Sequence, residues 1–480
     1  MLKKKNTYLH KKHSAISLFL IIMLASAVCL CACGDNKLGY NKEKINASII
    51  EQTKILSENF DSENRATSLY IYMKKWGDDN NFVAEKDKYG NIFISRNAFT
   101  GKNDKESTDI MLCKISDYEY FYNLHSLACA LNILQNSNPE DDIKLIVTVD
   151  EENDLGPYEK IPNAKLICRK IIALSNDPLL PENNLILSAP GVQNYDMYLP
   201  VNFEGAQFEK AYKIEIAGLS EGTSENRSKI THPNPIKTLN TLLATCRNKG
   251  ILYQLASFEG AGAEGKHYPT FANATIIING NNEHQFIKQF SKLQKKFVDK
   301  NDDYHPNLTY TVTEVPIPEH VISMDSSEKI VSFLYTMING KFLSDDETEN
   351  EKKRANSEIL YAGIESDTFR VHVKALSFSE SIFHEFDETF SSICRLTDFT
   401  FEKGKNYPAW YADTENNEYA DLEEVIKLVT GSKSTAKTMM QPQGIAQLKE
   451  KDRNLNIAIL NMSKEKPYLA YEIVNEYFKL

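Results

Sequence analysis

The chain has 480 residues and a formal net charge of -11, and 25% of its residues are charged, with both signs present. A mixed, mildly acidic composition of this kind provides no strongly basic surface, so a nucleic-acid partner is not expected. At roughly 150 residues per domain, the length predicts two or three globular domains with an ample core.

The amino terminus has the pattern of an export signal. Lysines 3, 4, 5, 11 and 12 precede the apolar stretch 16–30, which is short and ends in small residues. A signal peptide fits this pattern better than a spanning helix. The closing Leu30-Cys31-Ala32-Cys33 resembles the bacterial lipobox, which implies cleavage after residue 32 and acylation of the Cys33 sulfur. We therefore expect residues 1–32 to be a lipoprotein signal peptide and Cys33 to anchor an extracytoplasmic protein to the bacterial cell membrane, while an ordinary signal peptide or an uncleaved anchor stays open.

The next elements alternate between helix and strand. Apolar residues from Ala66 to Trp76 recur at three- and four-residue spacing, with Asp61 or Ser62 as the predicted cap and Gly77 after the predicted end. A hairpin (82–85 and 92–95), strands (110–113, 143–149 and 185–188) and a helix (124–134) are predicted to follow. This order indicates an α/β layer with a mostly parallel sheet.

A different pattern begins near residue 212. It contains strands (212–216, 251–257 and 275–279), a helix capped by Asn234 with Pro235 in its first turn, and a helix through Phe286 and Phe297. These elements predict a separate α+β domain inserted into the first. Further predictions are a charged loop (344–356), strands (359–365, 369–375 and 455–460) and a final helix around 468–477.

The cysteines give no disulfide framework. Three of the eight lie in the signal segment, and the other five, an odd number without CxxC spacing, are Cys113, Cys129, Cys168, Cys246 and Cys394. Apolar neighbours of Cys113, Cys129 and Cys168 favour buried thiols over a cysteine nucleophile.

Three stretches in order carry a resemblance to a known family. Residues 85–92 (EKDKYGNI), 145–152 (LIVTVDEE) and 213–219 (KIEIAGL) resemble motifs of the aminoacyl-histidine dipeptidase family, the peptidase D or carnosinase-like group of di-zinc exopeptidases. The resemblance implies a zinc-exopeptidase-like α/β domain with a mostly parallel sheet, formed by residues 33–202 and 406–480. It implies that residues 203–405 form an inserted α+β lid domain.

The family site is only partly kept. Asp117 stands at the position of the family's orienting Asp, Glu151 at its general base and Glu152 at one metal ligand, so the resemblance makes these three vestigial site residues. The other ligand positions have lost their His or carboxylate. By this alignment they are occupied by Ile115, Tyr122, Ala189 and Met462. None of these side chains is a normal zinc ligand.

The sequence therefore predicts a membrane-anchored protein with a metallo-dipeptidase fold that is catalytically inactive, has no cofactor, and binds a peptide or small polar ligand. One alternative is an active metal-dependent dipeptidase that cleaves aminoacyl-histidine-type dipeptides, with zinc in a site rebuilt from Asp117, Asp154, Asp196 or His125. Another alternative is a structural component of the cell envelope. A homodimer stays open in each case.

Overall fold

The computed structural model describes residues 41–61, 64–96, 108–116, 120–150, 156–176, 180–220, 233–262, 268–342, 355–439, 442–452 and 455–480. Two nine-stranded β-sheets, each packed against helices, and one two-stranded sheet make up the strands of this part of the chain. The helices are α1 (Lys42–Asn59), α2 (Arg65–Asn80), α3 (Tyr120–Asn136), α4 (Gly156–Lys160), α5 (Pro235–Asn248), α6 (Glu283–Asn301), α7 (Met324–Thr336), α8 (Glu380–Thr397), α9 (Asn417–Thr430), α10 (Ile445–Lys451) and α11 (Pro467–Lys479). The strands are β1 (Val83–Lys86), β2 (Asn91–Ser95), β3 (Thr108–Ser116), β4 (Asp142–Asp150), β5 (Lys170–Ser175), β6 (Asn184–Ala189), β7 (Gly191–Pro200), β8 (Phe203–Glu204), β9 (Lys210–Ala217), β10 (Tyr253–Ala261), β11 (Phe271–Ile278), β12 (Thr309–Val315), β13 (Val321–Ile322), β14 (Gly340–Phe342), β15 (Ala355–Glu365), β16 (Thr368–Ser377), β17 (Thr400–Tyr407), β18 (Trp410–Tyr411), β19 (Lys437–Thr438) and β20 (Ile457–Asn461).

The first sheet is a mixed sheet with a parallel centre. Its strands follow the order β1-β2-β4-β3-β5-β20-β6-β18, with β19 beside β6. The neighbours β4, β3, β5 and β20 run parallel. The outer pairs β1–β2, β2–β4, β20–β6 and β6–β18 are antiparallel. The predicted α/β fold is confirmed, and the parallel part of this sheet is its four central strands.

Helices cover both faces of the first sheet. The core on one face includes side chains of α1, α2, α3, α9 and α11. The core on the other face includes side chains of α4 and α10. Central strands buried on both faces consist of continuous apolar runs rather than alternating ones. The run from Ile110 to Cys113 in β3 fits this rule, since all four side chains are buried.

The second sheet is antiparallel and half-covered. Its order is β12-β9-β11-β10-β15-β16-β7-β17, with β14 beside β15. Helices α5 to α8 pack on one face and contribute to its core. The other face carries the alternating, partly exposed side chains of its strands, such as Arg370 and His372 on β16. Period-two alternation of this kind is typical of an antiparallel sheet with one solvated face.

The chain changes sheets between β6 and β7, where Pro190 is the only intervening residue. Strand β7 pairs with β16 and β17, so the second sheet begins at Gly191 and ends at Tyr407. It therefore extends beyond the predicted lid domain (203–405) on both sides. A sheet change within one extended run leaves no change of composition that a sequence pattern could detect.

Two local predictions need correction. Helix α2 does not end before Gly77 but continues to Asn80, and Asn81 closes it with a left-handed φ of 61°. Gly77 is explained by a close approach instead, because a Cβ atom there would lie 2.7 Å from the carbonyl oxygen of Phe82. At its start, the N-cap is Asn64 rather than Asp61 or Ser62.

Several elements were missed by the sequence analysis, and α1 and β5 are two of those that bear on the first domain. Helix α1 buries only Ile49 and Leu56, which is too narrow an apolar stripe to give a clear helical pattern. Strand β5 is a short apolar run that starts with Arg169-Lys170, and its charged start conceals a fully buried strand.

The five cysteines after Cys33 are buried and form no disulfide, and this confirms the buried thiols predicted for Cys113, Cys129 and Cys168. Burial raises the pKa of the Cys129, Cys246 and Cys394 thiols to about 12. A thiol of that pKa is almost entirely protonated at neutral pH, so these groups are poor nucleophiles. In the described part of the chain, no helix is long and apolar enough to cross a membrane.

The crossing between the sheets predicts a sensitive position. A Cβ atom on Gly191 would lie 2.5 Å from the Tyr407 carbonyl oxygen and 2.8 Å from the Ala409 nitrogen, which are backbone atoms at the end of β17 and just after it. We expect Gly191→Ala to lower the free energy of unfolding by about 1 to 3 kcal/mol, measured by chemical denaturation. Gly205→Ala is the matched control, because a Cβ there would meet nothing within 4 Å. Equal denaturation midpoints for both variants would contradict the argument.

Candidate functional site

The carboxyl ends of the central strands meet at one edge of the first sheet, which we call the carboxyl edge. It contains the last residues of β3, β4, β5 and β20, which are Ser116, Asp150, Ser175 and Asn461. Strand β3 leads through α3 to β4 on one side and has β5 on its other side. Ligands of open α/β sheets bind outside the carboxyl ends of strands at such a change of direction. The carboxyl edge is therefore the candidate functional site.

Most of the site residues predicted from the sequence follow the strands of this edge. Asp117 comes directly after β3, and Glu151, Glu152 and Asp154 come directly after β4. These four residues and the predicted lipidation site Cys33 lie outside the described residues. Their roles stay predictions.

Two described residues lie at the carboxyl edge in contact with each other. The Met462 backbone N–H donates to the Ser175 carbonyl oxygen at 2.8 Å. The Asn176 side-chain amide donates to the Met462 carbonyl oxygen at 3.3 Å. Asn176 is 4% exposed and Met462 is 1% exposed. The residues that follow β5 and β20 are thus joined by hydrogen bonds of the Met462 backbone, one of them with the Asn176 side-chain amide.

The position of Ala189 requires a correction. The alignment placed it at the family's fourth ligand, but β6 runs antiparallel to β20. Asn184 lies beside Asn461, whereas Ala189 lies at the far end of the strand beside Trp410. Five residues of strand span about 16 Å. Because the ligands of a metal pair must converge on ions roughly 4 Å apart, Ala189 cannot belong to a site at the carboxyl edge.

The first residue after the neighbouring parallel strand is Asn176. It follows β5, which is adjacent to β3 in the sheet. Sequence reasoning missed it because it did not predict β5 and therefore took β6 as the next strand of the site. The apolar run 171–174 before Ser175 was the available signal.

His125 lies near the same edge on α3. Its Nδ1 atom is 3.1 Å from the Thr53 hydroxyl oxygen, and the side chain is buried. Burial lowers the pKa of the imidazole, while the backbone of Lys464, just after Met462, partly opposes the shift. The ring is therefore neutral at pH 7 and available for hydrogen bonding.

Asp196 lies elsewhere, on β7 of the second sheet. Its Oδ1 atom accepts hydrogen bonds from Arg370 Nε at 3.1 Å and Arg370 Nη2 at 3.0 Å, and it lies 3.0 Å from His372 Nδ1. Burial by itself would raise the pKa of this carboxyl, but the hydrogen bonds and charges of His372 and Arg370 outweigh it and lower the pKa. Asp196 is thus held by a cation of its own sheet and does not join His125.

Metal-binding capacity can be judged for the described residues only. Within them, no group of three or more His, Cys, Asp or Glu side chains is arranged to hold a metal ion. Asn176 and Met462 are also poor zinc ligands, since zinc in proteins is held by thiolate, imidazole and carboxylate groups. The donor set that the structure describes at the carboxyl edge does not fit zinc.

The Asp196 cluster predicts a pH dependence of stability. A carboxyl with a lowered folded-state pKa stabilises the fold at pH values above its unfolded pKa of about 3.9, and this contribution is lost as the pH falls through the folded-state pKa. We expect Asp196→Asn to reduce the loss of unfolding free energy between about pH 6 and about pH 3, measured by denaturant titration. Asp303→Asn, an exposed position, is the control and should keep the wild-type slope. An unchanged slope in Asp196→Asn would count against this role.

Known structures share the fold. The chain is similar to the crystal structure of aminoacylhistidine dipeptidase from Vibrio alginolyticus, with a TM-score of 0.62 and 15% identity over 86% of this chain and 92% of that one. It is also similar to aminopeptidase PepT from Bacillus cereus ATCC 10987, with a TM-score of 0.50 and 10% identity over 92% of this chain and 98% of that one.

Sequence comparison alone gives no relative, since no protein-family model and no curated protein matches the chain. The similarity to the solved structures spans most of both chains, so the catalytic and lid parts of the fold are both present. The structure therefore fits the fold of the aminoacylhistidine dipeptidases, as the sequence resemblance predicts.

Proposed function

We propose that this chain is a lipid-anchored, extracytoplasmic protein that keeps the metallo-dipeptidase fold, does not hydrolyse peptides through zinc, and binds a peptide or small polar ligand. The observation that carries the proposal is the pair Asn176 and Met462 at the carboxyl edge. The membrane anchor rests on the lipobox-like residues before and at Cys33.

The chemistry of these two side chains supports the loss of zinc. A catalytic zinc ion is held by three protein ligands and a water molecule. A neutral amide oxygen suits harder cations, and a thioether suits soft ions such as Cu(I). Both residues are buried, and the Asn176 amide donates to the Met462 backbone carbonyl oxygen, so neither residue needs a metal ion to be accommodated in the fold.

The other polar side chains described at the carboxyl edge are neutral. Asn461 at the end of β20 donates from its amide to the Pro181 carbonyl oxygen at 3.1 Å, and Ser463 accepts from the Lys466 backbone N–H at 2.9 Å. Neutral amides and hydroxyls of this kind recognise peptide groups by hydrogen bonds, whereas paired carboxylates would favour cations. Because both side chains are fully buried and bonded within the fold, they would not contact a ligand directly, and they support the proposal only by offering no carboxylate to a metal ion.

Zinc retention tests the central claim. The chain from Gly34 onward is loaded with zinc, desalted and measured by elemental mass spectrometry. We expect almost no zinc in the wild type and more in the double variant Asn176→Asp, Met462→His, which supplies a carboxylate and an imidazole at the edge. Retention of roughly two zinc ions by the wild type would contradict the proposal and indicate a two-metal enzyme.

Binding and turnover are separated by a second measurement with aminoacyl-histidine dipeptides. We expect a saturable heat of binding in calorimetry and no release of histidine. Release of histidine that disappears in Glu151→Gln and on chelation would establish the active dipeptidase instead. Absence of both heat and product would contradict the binding role and favour the structural cell-envelope role.

A further inference from the structure

The exposed face of α6 in the second domain carries an unusual density of positive charge. Its five exposed lysines are Lys288, Lys292, Lys295, Lys296 and Lys300. The same stretch holds one acidic residue, Asp299, so its net charge is +4, whereas the whole chain carries -11. Among the residues that the structure describes, none of the five lysines forms an ion pair. We call this set the lysine face.

Packing fixes the direction of the lysine face. Phe286 and Phe290 on the opposite side of α6 are buried in the core of the second sheet. Phe290 and Phe297 each meet the Tyr310 ring edge to face, with centroids 5.2 Å and 5.7 Å apart. The helix cannot rotate without losing these contacts. The lysines are therefore held together toward solvent.

The spacing of the lysines destabilises α6. Lys288, Lys292, Lys296 and Lys300 follow one another at four-residue spacing, at which like charges are neighbours and repel. Other helices of this chain place opposite charges at that spacing, as in Lys54–Glu58 and Asp325–Lys329. A helix with uncompensated like charges is stabilised when it binds an anionic partner. Four of the five lysines, together with Asp299, also line a shallow surface depression.

We propose that the lysine face binds the phosphate headgroups of an anionic phospholipid surface. A second copy of the same face is a poor occupant, because a two-fold symmetric contact would bring identical lysines together. An anionic membrane attracts lysines near its surface additively and offers many phosphates to a face of several lysines at once. The charge complementarity thus selects a lipid surface over self-association.

The predicted lipid anchor at Cys33 would keep the lysine face near a membrane. Cys33 precedes the start of α1 at Lys42 by nine residues. Even a fully extended chain of nine residues spans at most about 30 Å, so the distance from Cys33 to α1 cannot exceed this value. Acylation of Cys33 would hold the protein at the membrane at high effective concentration, so that even weak headgroup contacts orient it. This step rests on the anchor in the proposed function, and the experiment therefore uses chain that lacks the anchor.

Vesicle binding tests the lysine face. The chain from Gly34 onward is sedimented with vesicles of phosphatidylcholine alone or mixed with phosphatidylglycerol. We expect binding to the mixed vesicles only, at about 0.1 M salt, with loss at about 1 M, where the Debye length is about 3 Å. The triple variant Lys292→Gln, Lys295→Gln, Lys296→Gln should bind about a hundredfold more weakly, because each lysine near the surface contributes about a fivefold factor.

The matched control removes three exposed lysines of the first domain, with Lys74→Gln, Lys75→Gln and Lys427→Gln, and should bind like the wild type. Equal binding of both triple variants, or equal binding to neutral vesicles, would overturn the proposal. Displacement of the protein by inorganic phosphate at matched ionic strength would also overturn it and assign the face to a soluble anion. Membrane retention of the acylated chain, combined with no vesicle binding by the anchor-free chain, would keep the anchor and reject the lysine face.

Discussion

The first domain depends on the insertion of its last strand. β20 pairs in parallel with β5 and antiparallel with β6, so a strand near residue 460 is inserted between two strands that come from the first half of the chain. Without it, β5 would expose unpaired backbone groups in the middle of the domain, which is costly. The following helix, α11, is docked at its end. Arg169 donates to the Phe478 carbonyl and forms a two-bond ion pair with Asp109, and Lys170 donates to the Tyr477 carbonyl at 2.7 Å.

The docking contacts place two cations, Arg169 and Lys170, at the carboxyl end of α11. Cations near a helix carboxyl terminus satisfy its last carbonyl groups and favour its dipole. Burial raises the pKa of Asp109 even though Arg169 opposes the shift, so the pair is partly withdrawn from water. Loss of one partner from such a pair leaves an uncompensated buried charge. These contacts bind the end of α11 to the start of β3 and β5. The second domain is therefore inserted between two parts of the chain that pair in the first sheet.

The same insertion decides the chemistry of the carboxyl edge. Because β20 lies beside β5, Met462 lies next to Asn176, whose side-chain amide donates to the Met462 backbone carbonyl oxygen, and both residues are buried. The fold can persist while the chemistry of the site changes, since a sheet needs only backbone pairing and apolar faces.

The second domain contains both paired and unpaired charges. Asp196 is paired with Arg370 across β7 and β16, whereas the lysines of α6 face solvent without compensation.

The sequence by itself determined the elements whose signals are local. The helix capped by Asn234 with Pro235 at its start was predicted and is α5, and the strands predicted at 359–365 and 369–375 form the β15–β16 hairpin. The buried thiols and the α/β class also follow from apolar runs and their spacing. Tertiary structure alone decided the direction of β6, the change of sheet at Pro190, and the meeting of Asn176 with Met462. These depend on pairing between residues that are far apart in the chain, and a strand's apolar pattern is the same whichever way it runs and whichever sheet it joins.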